Sequence, residues 1–90
     1  MNWWDSIPYI DLTDVMIPAS VIDLVPESIA RENTILPLAY EDGAIEIVTA
    51  DPTDFDTMLK LQFILHKDLR PVLSSREQIV AAINRHYGPV

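Results

Sequence analysis

The sequence contains no cysteine and only two glycines, and these absences limit the chemistry that it can support. Without cysteine the chain can form neither disulfide bonds nor thiolate metal sites, which fits a reducing compartment. Gly43 and Gly88 are too few to build a Walker phosphate loop or a dinucleotide-binding fingerprint. At 90 residues we expect one small domain that is stabilised by packing alone.

Basic residues and long apolar runs are also scarce. Six lysines and arginines stand against 14 aspartates and glutamates, which gives a net charge of −8. Because nucleic acid backbones are polyanions, this charge disfavours them as partners. No apolar run approaches the roughly 20 residues that a membrane-spanning helix needs, and there is no signal-peptide pattern. We therefore expect a soluble, unprocessed chain.

The charge is divided unevenly along the sequence. Residues 1–56 carry 12 acidic residues and one basic residue, a net charge of −11. Residues 57–90 carry five basic and two acidic residues, a net charge of +3. Either the two halves partly neutralise each other on folding, or the acidic half steers a basic partner towards the domain.

Turn and capping signals divide the chain into elements. Asp42-Gly43 is a strong signal for a hairpin turn between strands at residues 35–40 and 44–50. Thr53 is the expected N-cap of the longest helix, with Asp56 completing a capping box. The other expected elements are short helices at residues 19–24 and 26–32, a third strand at residues 68–73, and a last helix capped by Ser74 or Ser75.

Prolines and connections predict the sheet topology. Pro37 and Pro71 cannot donate to a ladder, so the second strand is expected between the other two. A strand–helix–strand crossover makes the second and third strands parallel. The prediction is an α/β (α+β) domain at residues 18–90, a small three-stranded mixed sheet packed with about four helices in the order α-α-β-β-α-β-α, after an extended arm at residues 1–17. Helical spacing predicts these core residues: Phe55, Met58, Leu59, Phe63 and Ile64 in the longest helix, and Ile79, Val80, Ile83 and Tyr87 in the last.

The candidate catalytic and metal-binding residues all have simpler explanations. Three acidic residues stand where the longest helix begins: Asp51, Asp54 and Asp56. A Ca²⁺ loop would need glutamate at its twelfth position, which is Gln62, and Pro52 interrupts the run, so we interpret the acids as helix-initiating. His66 and His86 are expected to be solvated or to interact as cations with helix C-termini. We predict no catalytic, cofactor-binding or metal-binding residues and no enzyme activity.

The aromatic residues of the arm are the candidate partner-binding residues. Adjacent side chains on an extended segment project to opposite faces, so Trp3 and Trp4 cannot both point inward. An exposed tryptophan is a plausible anchor for a protein partner. The alternative is that the arm folds back and closes the small core. We predict Trp3, Trp4 and Tyr9 as partner-binding residues.

Three segments carry a resemblance to a known family: IPYIDL, VIDLVPESIARENTILPLAYEDGAIEIVTADPTDFDTMLKL and RPVLSSREQIVAAINRHYG. In order and spacing they are similar to the second subdomain of the N-terminal domain of type II secretion and type IV pilus assembly ATPases, the GspE/MshE N-terminal family. The resemblance runs from Ile7 to Gly88. It implies a cytoplasmic adaptor that docks the motor, or a regulator, on a protein partner such as an inner-membrane platform component.

The same resemblance raises an alternative function, a sensor of a cyclic dinucleotide. One branch of the family binds cyclic di-GMP through two upstream motifs that contain Arg-Leu-Gly, and this tripeptide occurs nowhere in the chain. Binding of cyclic di-GMP is therefore not expected, and no nucleotide-binding residue is predicted. The predicted function is a non-catalytic docking module of a secretion, pilus or motility machine, located in the cytoplasm and reaching the inner membrane only through a partner.

Overall fold

The computed structural model describes residues 7–88, and these form an α+β fold whose elements follow the predicted order. Trp3 and Trp4 lie outside the described residues. The elements are α1 (Ala19–Ile22), α2 (Glu27–Asn33), β1 (Ile35–Glu41), β2 (Ala44–Thr49), α3 (Phe55–Leu65), β3 (Asp68–Leu73) and α4 (Arg76–Tyr87).

The sheet has the order β1-β2-β3, which confirms that the second strand is central. β1 pairs with β2 in antiparallel fashion, and β2 pairs with β3 in parallel, as the crossover predicts. In the hairpin turn, Asp42 and Gly43 both adopt positive φ, of 52° and 77°. This backbone matches the twist of the flanking strands, and an Asp-Gly pair tolerates it well. The register of β1 shifts between Pro37 and Ala39, so the proline lies at an irregularity of an edge strand.

Residues 7–17 run along the outer edge of β3 and enter the core. The Ile10 amide donates to the Leu73 carbonyl at 2.9 Å, and the Leu73 amide donates to the Pro8 carbonyl at 2.8 Å. Further along, Leu12 is completely buried and Ile17 nearly so. The Leu12 amide donates to Gln78 Oε1 at 2.9 Å. This segment therefore closes the core between β3 and α4.

α4 begins at Ser75, whose hydroxyl accepts from the Gln78 amide at 3.2 Å. The second of the two predicted capping sites is thus the one used, while the Ser74 hydroxyl donates to the Ile10 carbonyl at 2.9 Å instead. Ile79 and Ile83 are buried as predicted, but Val80 is exposed. Val80 was predicted in the core because it continues the apolar stripe, yet Ala82 takes up the inward position.

Tyr87 ties the end of α4 to the loop between α1 and α2. Its hydroxyl donates to the Val25 carbonyl at 2.8 Å. Burial, together with the negative charges of Asp23 and Glu27, raises the pKa of Tyr87 to about 12. The half-buried phenol therefore remains protonated and keeps its donor role over the physiological range of pH.

The sequence predicts that His86 is solvated or interacts with a helix C-terminus, and in the structure it is half-buried and contacts both α4 and the arm. The Ile17 amide donates to His86 Nε2 at 3.0 Å, and Nδ1 lies 2.9 Å from the Ala82 carbonyl. An amide can only donate, so Nε2 must be unprotonated and Nδ1 must carry the hydrogen. The imidazole is neutral in this arrangement and joins the arm to α4. His66, in contrast, is the C-cap of α3 and adopts the left-handed conformation with φ of 55°.

α3 begins one residue later than the predicted capping box implies. Its N-cap is Asp54, whose Oδ1 accepts from the Thr57 amide at 3.1 Å. The predicted cap, Thr53, donates its hydroxyl to Asp51 Oδ1 at 2.6 Å and so completes the preceding turn. Aspartate caps a helix at least as well as threonine, so Asp54 and Thr53 both suit the N-cap position. Asp54 takes it because the Thr53 hydroxyl is bonded to Asp51 in the preceding turn.

Candidate docking surface

The outer face of α3 is apolar and exposed to solvent. Four large side chains have the following exposed fractions: Phe63 80%, Leu59 63%, Phe55 48% and Ile64 42%. Leu61 is the fully buried residue of the helix, and Met58 and Leu65 pack partly against the core. The prediction that Phe55, Leu59, Phe63 and Ile64 face the core is therefore wrong.

The physical reason is that α3 carries two apolar stripes. Met58, Leu61 and Leu65 recur at spacings of three and four residues and form the inward stripe. This stripe fits the helical period as well as the stripe that the sequence analysis placed in the core. A helix that packs on one side of a small sheet can bury only one stripe. The second stripe was detectable in the sequence as an excess of apolar residues around the helix, but its orientation was not.

A groove of about 450 Å³ lies between α3 and β3. Leu69 and Pro71 line it from the strand, and Phe55, Met58, Leu59 and Gln62 line it from the helix. We call this feature the α3–β3 groove. Its lining is almost entirely apolar, with Gln62 as the polar side chain, and the exposed rings of Phe63 and His66 lie near one end of α3 with their centroids 6.4 Å apart.

Tyr9 lies at the same edge of the sheet as the groove. It forms a single parallel bridge with Leu73, and 60% of it is exposed. Opposite residues in a parallel pair project to the same face, and faces alternate along a strand, so Tyr9 shares its face with Leu73, Pro71 and Leu69. Of the predicted partner-binding residues, Tyr9 is thus next to the groove, while Trp3 and Trp4 are outside the described residues.

A second, polar pocket of about 270 Å³ lies at the start of α3 and is lined by residues that include Asp51, Asp54 and Arg76. Hydrogen bonds from the Thr57 hydroxyl and amide lower the pKa of Asp54. Asp51 Oδ1 accepts from both the amide and the hydroxyl of Thr53, at 3.1 and 2.6 Å. These carboxylates are engaged in turns and capping, as the sequence predicts.

Residues 7–88 offer neither a candidate metal site nor a membrane-spanning helix. No group of three or more histidine or acidic residues in this part of the chain could hold a metal ion. No helix among the same residues is long and apolar enough to span a membrane. The only ion pair within this range joins Arg31 to Glu27 on α2, so none links the acidic and basic halves of the described chain.

Comparison with known proteins places these features in a family. The model of the MshEN domain matches residues 6–90. The type IV pilus assembly ATPase PilB of Myxococcus xanthus (strain DK1622) is 26% identical over 83 residues, which cover 92% of this chain and 15% of PilB. The chain thus spans about one-seventh of the length of that relative.

Solved structures agree with this match. A structure of MshE with cdg, which denotes cyclic di-GMP, superposes with a TM-score of 0.83 at 26% identity, covering 93% of this chain and 61% of that one. The N-terminal domain of XpsE shares the fold, with a TM-score of 0.73 at 18% identity over 91% of this chain and 58% of that one. The chain belongs to the MshEN domain family, the N-terminal domain of type II secretion and type IV pilus assembly ATPases.

Proposed function

We propose that this domain is a non-catalytic protein-docking module of a type IV pilus, type II secretion or related motility machine, and that the α3–β3 groove receives the partner. The observation that carries the proposal is the exposed apolar stripe of α3 beside the groove. An exposed apolar cluster of this kind on a small acidic domain is typical of a protein-interaction site. The module would act in the cytoplasm and reach the inner membrane through its partner, which we infer to be a platform component, the motor or a regulator.

The chemistry of the groove favours a protein over a small anion. Anionic ligands need donors that converge on them, usually arginine, lysine or backbone amides, whereas Gln62 is the polar side chain in this lining. Leu59 and Pro71 instead offer apolar area to the side chains of an amphipathic segment. Tyr9, exposed at the neighbouring sheet edge, would extend the contact.

A second candidate function is binding of a cyclic dinucleotide, because the similar MshE structure contains cyclic di-GMP. This chain corresponds to 61% of that structure's chain and lacks the Arg-Leu-Gly tripeptide. If this chain has kept the property, its contacts must come from other residues. Calorimetric titration with cyclic di-GMP tests this candidate directly, since measurable heat with saturation would favour a sensor and its absence would favour docking.

The docking proposal is tested by placing a charge in the groove. Leu59→Asp puts a carboxylate on the exposed stripe, and Val80→Asp puts one on the exposed side of α4 as a matched control. Binding to purified platform and motor components is measured by biolayer interferometry. If Leu59 is an interface hot spot, its replacement costs about 2 kcal/mol or more, a loss of about thirtyfold in affinity.

The control decides how the result is interpreted. We expect Val80→Asp to bind as the unmodified chain does, because Val80 lies on a different helix from the groove. Circular dichroism must show that both variants are folded. Equal affinities for the Leu59 and Val80 variants would remove the groove from the interface and overturn the proposal.

A further inference from the structure

Three of the exposed apolar side chains of α3 form a regular row. Phe55, Leu59 and Phe63 follow one another at intervals of four residues, so each lies about 6 Å further along the helix axis and about 40° further around it. We call this feature the α3 row. Side chains four residues apart form a ridge, and such ridges are the surfaces by which helices pack on one another. The α3 row therefore has the form of a helix-packing surface, and no other helix within residues 7–88 buries it.

One acidic and one basic side chain border the α3 row on the side away from the groove. Asp56 and Lys60 are both exposed, and they lie one turn apart, each directly after a residue of the row. The one ion pair among residues 7–88 lies on α2, so neither side chain is held in an ion pair there. Because the border carries one charge of each sign, it offers no net charge to a partner of a single sign.

A surface of this kind can complement a second copy of itself. In a twofold dimer, any residue of one copy that contacts a second residue of the other copy is contacted in return by the same pair. If two α3 helices pack antiparallel about a twofold axis level with Met58, Asp56 lies level with Lys60 of the second copy, and Lys60 lies level with its Asp56. The two opposite charges then meet twice along one side of the contact.

The same position of the axis interleaves the apolar side chains. Phe55 falls between Leu59 and Phe63 of the second copy, and Leu59 falls between Phe55 and Leu59 of the second copy. Each side chain is then about 3 Å along the axis from its neighbours on the other helix, so it enters a gap instead of meeting a side chain head-on. One arrangement thus satisfies the α3 row and its charged border together.

We propose that this domain forms a homodimer in which the α3 helices of two copies pack antiparallel, with Phe55 and Leu59 in the contact and Asp56 paired with Lys60 across it. Two helical turns from each copy make a contact smaller than the standard of about 800 Å² per partner, so the dissociation constant should be on the order of 10 μM or higher. The net charge of −8 on each copy opposes association, but physiological salt screens it beyond about 8 Å.

The dimer does not rest on the proposed docking function, although the two share a surface. Leu59 belongs to the α3 row and also lines the α3–β3 groove. A second copy packed on α3 and a partner in the groove therefore exclude each other. If both exist, partner binding draws the dimer apart into monomers by mass action.

Sedimentation equilibrium of the 90-residue chain tests the association. Between about 5 and 500 μM at physiological salt, the average mass should rise from that of one chain towards that of two. Leu59→Asp should weaken the association about tenfold or more, because it places two carboxylates beside each other near the twofold axis. Val80→Asp, on the exposed side of α4, should associate as the unmodified chain does. A chain that stays monomeric throughout, or a dimer that is indifferent to Leu59→Asp, would overturn the proposal.

Exchanging the two charges tests the antiparallel arrangement. Asp56→Lys brings two cations together across the contact and Lys60→Asp brings two anions together, so each should weaken the dimer about fivefold or more. The variant with both substitutions restores two ion pairs and should associate as the unmodified chain does. Arg76→Asp, at the exposed start of α4, is the control, because it changes the net charge as Lys60→Asp does and should leave the association unchanged. If the double variant fails to recover, the antiparallel pairing is wrong.

The absence of cysteine provides a measurement that remains available if Leu59→Asp does not fold. Leu59 lies about 3 Å along the axis from Leu59 of the second copy, so Leu59→Cys should give disulfide-linked dimers under mild oxidation. Val80→Cys should give few, because α4 lies outside the contact. Equal cross-linking of these two variants would contradict the dimer.

The two proposals fail separately because the association is measured without a partner. A chain that is monomeric at every concentration, together with loss of partner binding in Leu59→Asp, would refute the dimer and retain the docking surface. A dimer that shows the expected response to charge exchange, together with unchanged partner binding in Leu59→Asp, would do the reverse.

Discussion

The two leucines on opposite sides of α3 allow a direct test of how this helix is oriented. Leu61 is completely buried, whereas 63% of Leu59 is exposed, although the two residues are of the same type and two positions apart. Leu61→Ala should destabilise the domain by about 2–5 kcal/mol, because it removes buried methyl groups and leaves a cavity. Leu59→Ala should change the free energy of unfolding by less than about 1 kcal/mol, since alanine also has the higher helix propensity.

The assay is urea unfolding followed by circular dichroism, with thermal unfolding alongside. For a domain of this size, each kcal/mol corresponds to about 4–8 °C in Tm, so Leu61→Ala should lower Tm by roughly 10 °C or more. The dependence of the free energy on urea should stay the same in both variants. Equal destabilisation by the two substitutions would refute the orientation of α3, and with it the exposed stripe on which the docking surface depends.

Two further predictions concern pH. Hydrogen bonds from Thr57 lower the pKa of Asp54 in the folded state, so its contribution to stability is present above the unfolded pKa and is lost as pH falls through the folded one. Asp54→Asn should therefore weaken the dependence of stability on pH below about pH 4, as measured by urea unfolding across that range, and an unchanged dependence would contradict it. The pKa of Tyr87 is raised to about 12, so its contribution is present below about pH 10 and lost as pH rises towards 12. Tyr87→Phe should reduce this loss of stability at alkaline pH. It should also lower the free energy of unfolding at neutral pH by about 1 kcal/mol, because the Val25 carbonyl loses its donor. If the variant still loses stability steeply at alkaline pH, another group is responsible.

Much of the fold could be predicted because turn, capping and proline signals act within a few residues of the chain. Asp42-Gly43 indicates the hairpin turn and the serine pair before α4 indicates the start of the last helix, although only the structure shows that Ser75 and not Ser74 is the cap. The position of β2 at the centre followed from prolines in the other two strands. Where two neighbouring residues suited the N-cap position of α3 almost equally, the sequence predicted Thr53 and the structure has Asp54.

The site was predicted less well, because it depends on contacts between distant parts of the chain. Tyr9 was expected at a partner-binding surface and lies beside the groove, but the groove itself was not foreseen. His86 was expected to be solvated or to interact with the C-terminus of its helix, and its hydrogen bond from Ile17, 69 residues earlier in the sequence, was not foreseen. A helical pattern gives no information on such a pairing.

The sequence by itself determined the order of the elements, the parallel crossover and the family resemblance, because turns, caps and prolines act over a few residues. Only the tertiary structure decided which stripe of α3 is buried. Leu61 and Leu59 both fit the helical period, so the periodicity supports either orientation. Packing against the sheet resolves the choice in favour of Leu61, since a single layer of sheet can cover one side of the helix, and the other stripe stays exposed beside the groove.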